Sequence, residues 1–270
     1  MITGIILASL LFVGIVFLPA GHLSLVLAAI IFLGGWEWAR LATLKPVESI
    51  IFYLAIGFSM FALLQWPAEL RVEQWLLWVS FIWWTWAAMM ILRYEPKQVD
   101  HSRGMVRLSK ALMGLLTLVP AWWALVQLRG FGAKGVEYLF YSFIIVWGAD
   151  IGAYFVGKKL GKHKLAPRIS PGKTIEGMLG GLLAVGAASV FAAWYFGHTH
   201  TRLLIFILLS LIVAVYSVLG DLLESLLKRQ VGLKDSGKLL PGHGGVLDRI
   251  DSVLAAAPLL LFGLIAFLDN

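Results

Sequence analysis

The chain has 270 residues, of which 60% are apolar and 14% are charged, and its mean hydropathy of +0.87 excludes an ordinary soluble domain. It contains no cysteine, which excludes disulfides, thiolate nucleophiles and cysteine-ligated zinc. The formal net charge of +7 is compatible with anionic partners, and the placement of the basic residues is more informative than their sum.

Continuous apolar runs separated by short polar loops make up most of the chain. A helix needs roughly 20 mostly apolar residues to cross a bilayer, and these runs do not alternate in polarity as barrel strands would, so they predict helices. The first run starts at Ile2 without a preceding basic segment or a clear cleavage site, and we expect it to be retained. The nine predicted spans are 2–18, 23–41, 49–66, 74–92, 110–128, 138–157, 177–197, 203–223 and 252–268.

These spans predict an all-α fold, a polytopic transmembrane helical bundle that forms a single integral membrane domain over residues 1–270. The N-terminal part, 1–128, consists of spans with few polar residues between them. The part from 138 to 270 carries two long polar loops, 158–176 and 225–251. We expect this second part to be the catalytic half.

The basic residues indicate how the bundle is oriented. With loops assigned alternately to the two sides, one side receives 18 of the 22 Lys and Arg residues, and the other receives Arg71, Arg129, Lys134 and Arg202. Cytoplasmic loops carry the excess of positive charge. We therefore expect a multi-pass protein of the cell inner membrane, with its N-terminus and polar loops in the cytoplasm and its C-terminus on the opposite side.

Asp150 is an ionisable residue inside the sixth predicted span. It lies about seven residues, or ~10 Å, from the cytoplasmic end of that helix. Charge within a bilayer is costly, so such a residue is a functional candidate, although a buried Lys or Arg partner would give it a structural role. On either side of it, Gly148 and Gly152 form a small-xxx-small pair that predicts close helix packing.

The basic loop 158–176 ends in Ser-Pro-Gly-Lys-Thr-Ile-Glu-Gly, directly before the seventh span. A compact turn at a helix N-terminus offers free backbone amides, and a lysine adds a cation, which suits phosphate binding by Ser170, Lys173 and Thr174. The turn is not a Walker A loop, because the spaced glycine and the preceding strand are missing. The alternative is an ordinary positive-inside loop that contacts anionic lipid headgroups.

Several polar side chains lie together at the end of the eighth span. At helical spacing one face carries Asp221, Glu224, Ser225 and Lys228. An ion pair between Glu224 and Lys228 is the simpler explanation of those two residues, but it leaves Asp221 unexplained.

The loop that follows, up to Asp251, continues this polar stretch. Glycines on both sides of His243 permit close approach of the backbone to a ligand. Asp248 and Asp251 share one face where the last span begins; helix capping would explain either of them, but not the adjacent Arg249. Because carboxylates suit Mg²⁺ and basic side chains suit phosphates, the polar stretches indicate nucleotide phosphate chemistry, and the membrane location favours a lipid co-substrate.

The stretch from Ser225 to Asp251 follows the pattern Ser-x2-Lys-Arg-x4-Lys-Asp-x-Gly-x2-Leu-Pro-x-His-Gly-Gly-x2-Asp-Arg-x-Asp. This pattern runs through 27 residues without a gap and resembles the signature of the phosphatidate cytidylyltransferases, also called CDP-diacylglycerol synthases. The resemblance extends to Asp150–Tyr154, Ser170–Gly177 and Gly220–Asp221, and so covers roughly the C-terminal half.

The resemblance implies transfer of CMP from CTP to phosphatidic acid, with Mg²⁺ as cofactor, giving CDP-diacylglycerol and pyrophosphate. It implies metal binding by Asp221 and Asp248. Asp251 and Asp150 would be further ligands, or residues that contact the ligands and not the metal. No general base is named, because a phosphate monoester oxygen is already anionic near neutral pH. It also implies a membrane lipid environment and a homodimer, and no nucleic-acid partner is expected.

The same resemblance assigns phosphate-binding roles. The cations that would contact the phosphates of CTP, pyrophosphate or the lipid are Lys173, Lys228, Arg229, Lys234 and Arg249. Ser225, Gly244 and Gly245 would lie beside them, and His243 would contact phosphate or ribose. The residues expected to act in catalysis are Asp221, Lys228, Arg229, Asp248 and Arg249.

Two other functions remain open at this point. A CTP-dependent kinase of a membrane isoprenoid alcohol would need similar metal and phosphate groups, but it would release CDP. An ion-coupled transporter would use Asp150 and Asp221 as ion sites within the membrane. The transporter leaves the long charged motif without a role.

Overall fold

The computed structural model describes residues 2–65, 72–95, 104–240, 242 and 244–268. Within these ranges the chain forms nine α-helices and one short β-hairpin, which confirms the predicted all-α bundle. The helices are α1 Ile2–Phe17, α2 Ala20–Leu41, α3 Pro46–Gln65, α4 Val72–Leu92, α5 Gly104–Arg129, α6 Gly135–Leu160, α7 Ile175–Phe196, α8 His200–Gln230 and α9 Leu247–Phe267. The strands are β1 Lys164–Ala166 and β2 Ser170–Thr174.

Eight of these helices, α2 to α9, are long and apolar enough to cross a membrane. Helix α1 has 16 described helical residues and therefore extends over about 24 Å, which is less than the ~30 Å of a typical hydrocarbon core. The predicted count of nine spans is thus met by eight full-length helices and one shorter apolar helix. The protein is an integral multi-pass membrane protein.

Helix α9 lies at the centre of the bundle, where it packs against α2, α4, α5, α6 and α8. Its middle carries three consecutive alanines, Ala255–Ala257, which are fully buried. Small side chains let the neighbouring helix backbones come close, and this close packing takes the place of the hydrophobic effect, which does not operate between helices in lipid.

Helix α8 extends well beyond its predicted end at 223. It has 31 residues and a length of about 46 Å, so its last turns continue past the hydrocarbon. The start of α9 at Leu247 also precedes the predicted residue 252. The predicted loop 225–251 is therefore too long, since the connection between the helices is 231–246. Hydropathy marks where an apolar surface ends, but this helix continues because protein groups contact its polar face.

The segment before α7 is a strand and not the expected compact turn. Strands β1 and β2 pair antiparallel, with Lys164 opposite Thr174 and Ala166 opposite Ser170. The Thr174 Oγ1 then accepts a hydrogen bond of 3.1 Å from the Gly177 N–H and caps α7. The prediction of a compact turn was wrong, because residues 170–174 form the second strand of a β-hairpin.

Helices α6 and α7 pack with unusually close backbones. A Cβ added to Gly152 would lie 2.9 Å from the Ala184 Cβ, and one added to Gly181 would lie 2.6 Å from the Ala149 carbonyl oxygen. At Gly148 the nearest atom would be 3.7 Å away, in ordinary contact. The predicted packing role is therefore confirmed for Gly152, while Gly148 lies at the edge of the tight crossing. This crossing places α6 directly beside the start of α7.

Candidate active site

The candidate site lies at one end of the bundle, which we call the polar end because the loops 161–174 and 231–246 are located there. Lys173 from β2 reaches Asp221 of α8, with 2.7 Å between the Lys173 Nζ and the Asp221 Oδ2. The Ser225 hydroxyl donates to the other oxygen, Oδ1, of the same carboxylate at 3.1 Å. Both members of the ion pair keep about a quarter of their side chains exposed, so they remain accessible to a ligand.

Asp150 of α6 faces the same region. Its carboxylate interacts electrostatically with Lys173, Asp221 and Arg249. Three candidate residues from separate parts of the chain, Asp150, Lys173 and Asp221, therefore lie in the same region. The predicted role of Asp150 in metal binding remains a prediction.

A cavity of about 400 Å³ opens beside this group, between α6, α7 and α8. Its polar lining includes Asp150, Lys158 and Lys173, whereas Leu182 and Val218 contribute to an apolar lining. The cavity therefore combines a charged part at the polar end of the bundle with an apolar part that lies along the helices.

Lys228 of α8 is buried between two carboxylates. Its Nζ lies 2.5 Å from the Glu224 Oε2 and 2.7 Å from the Asp248 Oδ1, and 10% of its side chain is exposed. The ion pair with Glu224 weighed in the sequence analysis is thus present, and the same ammonium group also ties α8 to α9. Both carboxylates are direct partners of this cation within the protein. A direct contact of Lys228 with a substrate phosphate remains a prediction.

Asp248 holds the loop in front of α9. Its Oδ2 accepts hydrogen bonds from the backbone N–H groups of Ser236, at 3.0 Å, and Gly245, at 2.7 Å. Its other oxygen, Oδ1, is bonded to Lys228. These contacts are not helix capping, the alternative considered for this aspartate, because Ser236 and Gly245 both precede the first helical residue, Leu247.

Asp251 lies one turn further along α9. Its Oδ1 accepts a hydrogen bond of 2.7 Å from the Ser252 N–H, and its charge interacts with those of Asp221 and Lys173. Helices α8 and α9 come very close here, because a Cβ on Gly220 would collide with the backbone oxygen of Asp251. The close crossing brings the turns that carry Asp221 and Asp251 together.

Comparison with known proteins now decides the family. The family model described as the cytidylyltransferase family matches residues 1–267. The chain belongs to the cytidylyltransferase family. A "Phosphatidate cytidylyltransferase" of Pseudomonas aeruginosa is 43% identical over 259 residues, which cover 95% of this chain and 93% of that protein.

Two further relatives of this cytidylyltransferase carry the same name. The protein from Haemophilus influenzae is 38% identical over 258 residues, which cover 88% of each chain. The protein from Bacillus subtilis is 46% identical over 143 residues, or 53% of this chain and 52% of the relative. The resemblance noted from the sequence motif is thereby confirmed.

The donor groups of this cytidylyltransferase fit Mg²⁺ in their chemistry, although the described residues contain no group of three or more Asp, Glu or His side chains arranged around one metal position. Five carboxylates interact with three cationic groups at the polar end: Asp150, Asp221, Glu224, Asp248 and Asp251, with Lys173, Lys228 and Arg249. Carboxylate oxygens are the ligands that Mg²⁺ prefers in proteins, so these aspartates suit the ion by their chemistry.

Other predicted cations of the cytidylyltransferase lie at the rim. Arg229 is exposed, and it donates to the carbonyl oxygens of Ile169, at 3.2 Å, and Leu233, at 3.4 Å. Lys234 and Arg249 are also exposed. Arg229 thus ties the β-hairpin to the loop after α8, and the phosphate contacts assigned to these three residues remain predictions.

The remaining predicted contacts have different outcomes. Thr174 is buried and caps α7, and Ser170 begins β2 at the far end from Lys173. Gly244 adopts a positive φ of 80°, which a glycine accommodates without strain. His243 lies outside the described residues. Phosphate binding by these residues remains a prediction.

Glu37 of α2 is a site residue that the sequence analysis missed. It is fully buried, and its carboxylate accepts hydrogen bonds from Ser236 Oγ at 2.9 Å, from Val246 N at 3.1 Å and from Leu247 N at 2.7 Å. The signal was present, because an acid inside an apolar span is a functional candidate. It was overlooked because Glu37 lies far from the C-terminal motif.

Proposed function

We propose that this chain is a phosphatidate cytidylyltransferase, an enzyme that transfers CMP from CTP to phosphatidic acid and forms CDP-diacylglycerol and pyrophosphate. Relatives with that name cover nearly the whole chain. The observation that carries the proposal is the cavity between α6, α7 and α8, because it joins a charged part to an apolar part in a membrane protein.

Both parts suit a phosphorylated lipid. Lys173 and Lys158 line the cavity at its charged part and supply cations for a phosphate group. Met178, Leu182 and Val218 provide apolar surface for the hydrocarbon next to that headgroup. A soluble nucleotide approaching from the polar end would meet the lipid phosphate at Lys173.

The reaction is a displacement at phosphorus. An oxygen of the lipid phosphate attacks the α-phosphorus of CTP, the bond from this phosphorus to the bridging oxygen of the β-phosphate breaks, and pyrophosphate leaves with the electron pair. The attacking oxygen is anionic near neutral pH, so the chain need not supply a base. Lys173 would hold a phosphate oxygen, and positioning with charge stabilisation would account for most of the acceleration.

The residues that would hold Mg²⁺ are Asp221, Asp251 and Asp248. Asp221 and Asp251 come from the closely packed turns around Gly220, whereas Asp248 is already bonded to Lys228 and to two backbone amides. Bound there, the ion would offset the negative charge of the nucleotide phosphates.

The finer location and assembly are also proposals. The distribution of basic residues supports an inner-membrane protein whose polar end faces the cytoplasm, where CTP is available. A homodimer is expected from the resemblance alone, and the mass of the purified protein in detergent would check it.

The function is tested with purified protein, CTP labelled in its cytidine moiety, phosphatidic acid in detergent micelles, and Mg²⁺. We expect the label to enter the lipid fraction and pyrophosphate to be released in equal amount. An isoprenoid-alcohol kinase would place the label in soluble CDP. An ion-coupled transporter would consume no CTP. Label that stays water-soluble with well-folded protein would therefore overturn the proposal.

A further inference from the structure

Glu37 joins the N-terminal part of the chain to the site. We propose that Glu37 is a positioning residue, which caps α9 from α2 and thereby fixes Asp248 and Asp251 for the reaction proposed above. The effect on catalysis rests on the proposed function, whereas the effect on α9 does not.

Helix α9 begins without a side-chain cap of its own. Its N-cap residue is Val246, whose hydrocarbon side chain cannot accept a hydrogen bond from the first turn. The N–H groups of Val246 and Leu247 instead donate to Glu37, a residue more than 200 positions earlier in the chain. The first amides of a helix need acceptors, and the partial positive charge of that helix end favours a carboxylate. Glu37 therefore caps α9 from a different helix.

The same carboxylate also holds the loop before α9. The Ser236 hydroxyl donates to the Glu37 Oε2, and the Ser236 backbone N–H donates to the Asp248 Oδ2. Asp248 in turn binds Lys228. A chain of direct contacts thus runs from Glu37 through Ser236 and Asp248 to Lys228, and each step is a hydrogen bond to a charged group, which is the stronger kind.

Two glycines of the loop make room for Glu37. A Cβ built on Gly237 or on Gly245 would collide with the Glu37 carboxylate oxygens. Neither glycine has a positive φ, so the backbone conformation does not require glycine at these positions. The close approach of the carboxylate does. Both glycines belong to the motif that led to the family. The structure explains why glycine stands at both positions: the loop packs directly on the Glu37 side chain of α2.

Glu37→Gln is the informative variant, because glutamine keeps the shape of the side chain and replaces one acceptor oxygen by a donor. Three donors converge on Glu37, so at least one of them would face an NH₂ group and lose its partner. We expect kcat/KM to fall about 10- to 100-fold, the effect of a lost buried hydrogen bond. Glu37→Asp retains the charge and both oxygens, and we expect it to restore part of the activity.

Glu48→Gln is the matched control. Glu48 is also an acid of the N-terminal part, and it binds Arg107 Nε at 2.8 Å, away from the loop 231–246. We expect this variant to keep the wild-type kcat/KM. Ser236→Ala adds a double-mutant cycle: its effect should be smaller in the Glu37→Gln background than in the wild type, because the hydroxyl has then already lost its carboxylate partner.

Amide hydrogen exchange of the detergent-solubilised protein tests the cap without any substrate. In Glu37→Gln, exchange should accelerate in peptides covering 236–250 and remain unchanged in α6. In Glu48→Gln, exchange of the peptides covering 236–250 should be unchanged. Unchanged exchange at 236–250 overturns the proposal, and so does acceleration that is equal throughout the bundle, which would indicate a general loss of stability. If the wild type transfers no CMP, the proposed function fails, while the exchange experiment still decides whether Glu37 caps α9.

Discussion

Lys173 and Asp221 lie 2.7 Å apart and connect the strand before α7 to the middle of α8. The pair is only partly buried, and its lysine lines the cavity together with Asp150. Because its ammonium group is bonded to a site carboxylate and about a quarter of its side chain is exposed, Lys173 is well placed to exchange a protein partner for a substrate phosphate.

We therefore expect Lys173→Met to lower CMP transfer by at least about 100-fold, the scale of removing one charged group that stabilises a transition state. Lys173→Arg should retain more activity, since it keeps the charge. Lys159→Met is the control, because Lys159 is exposed on the neighbouring helix end and does not line the cavity. The measurement is the steady-state rate of label transfer to lipid. Equal rates for Lys173→Met and Lys159→Met would contradict phosphate binding by Lys173.

Removal of the buried cation Lys228 should mainly affect stability. Lys228→Met leaves Glu224 and Asp248 without their common partner, and breaking a buried ion pair costs about 3–5 kcal/mol. Thermal unfolding in detergent would measure this loss. Adding Glu224→Gln should recover part of it, whereas Lys164→Met, at an exposed cation of β1, should have no effect. A Lys228→Met protein of wild-type stability would show that the two carboxylates do not depend on this lysine.

Metal binding is tested by titrating Mg²⁺ in the transfer assay. Removal of the metal with a chelator should abolish activity, and restored Mg²⁺ should recover it. Asp221→Asn should raise the Mg²⁺ concentration for half-maximal rate by at least about 10-fold, because a charged oxygen ligand is lost. Glu137→Gln is the control, because Glu137 lies in the first turn of α6, away from the polar end of the bundle. If Asp221→Asn or Asp248→Asn kept the wild-type rate and Mg²⁺ dependence, that residue would be removed from the ligand set.

The close crossing of α6 and α7 makes Gly152 sensitive to substitution. Gly152→Ala would push a methyl group against Gly180 and Ala184, and overpacking of this kind costs about 1–3 kcal/mol. Gly148→Ala, on the same helix, meets only Val185 at 3.7 Å and should change stability by less than about 0.5 kcal/mol. Unfolding midpoints of the two variants, measured side by side, should differ; coinciding midpoints would contradict the tight crossing.

The orientation is open to a direct test because the chain has no cysteine. Single cysteines at two exposed positions, Lys162→Cys at the polar end and Thr199→Cys between α7 and α8, should react from opposite sides of the membrane. In intact cells, a membrane-impermeant maleimide should label Thr199→Cys and leave Lys162→Cys unlabelled until the cells are broken. The reverse pattern would place the polar end outside the cytoplasm.

Most of the fold was predictable because membrane helices are marked by local sequence. Apolar runs of spanning length predicted the number and the approximate positions of the helices among the described residues. The C-terminal motif indicated the family and the region of the site. The ends of the helices were less predictable. Helix α8 continues seven residues past its predicted end because Lys228 and Ser225 find partners in the protein, and a local count of apolar residues does not include those partners.

The sequence by itself determined a polytopic helical membrane protein with most of its basic residues on one side, since hydropathy and helical periodicity depend only on neighbouring residues. Only the tertiary structure decided which charges meet: Lys173 with Asp221, Lys228 with both Glu224 and Asp248, and Glu37 with the start of α9. Those partners are set by how closely the helices cross, at Gly152 and Gly220 among others, and residues up to 210 positions apart are brought into contact by that packing alone.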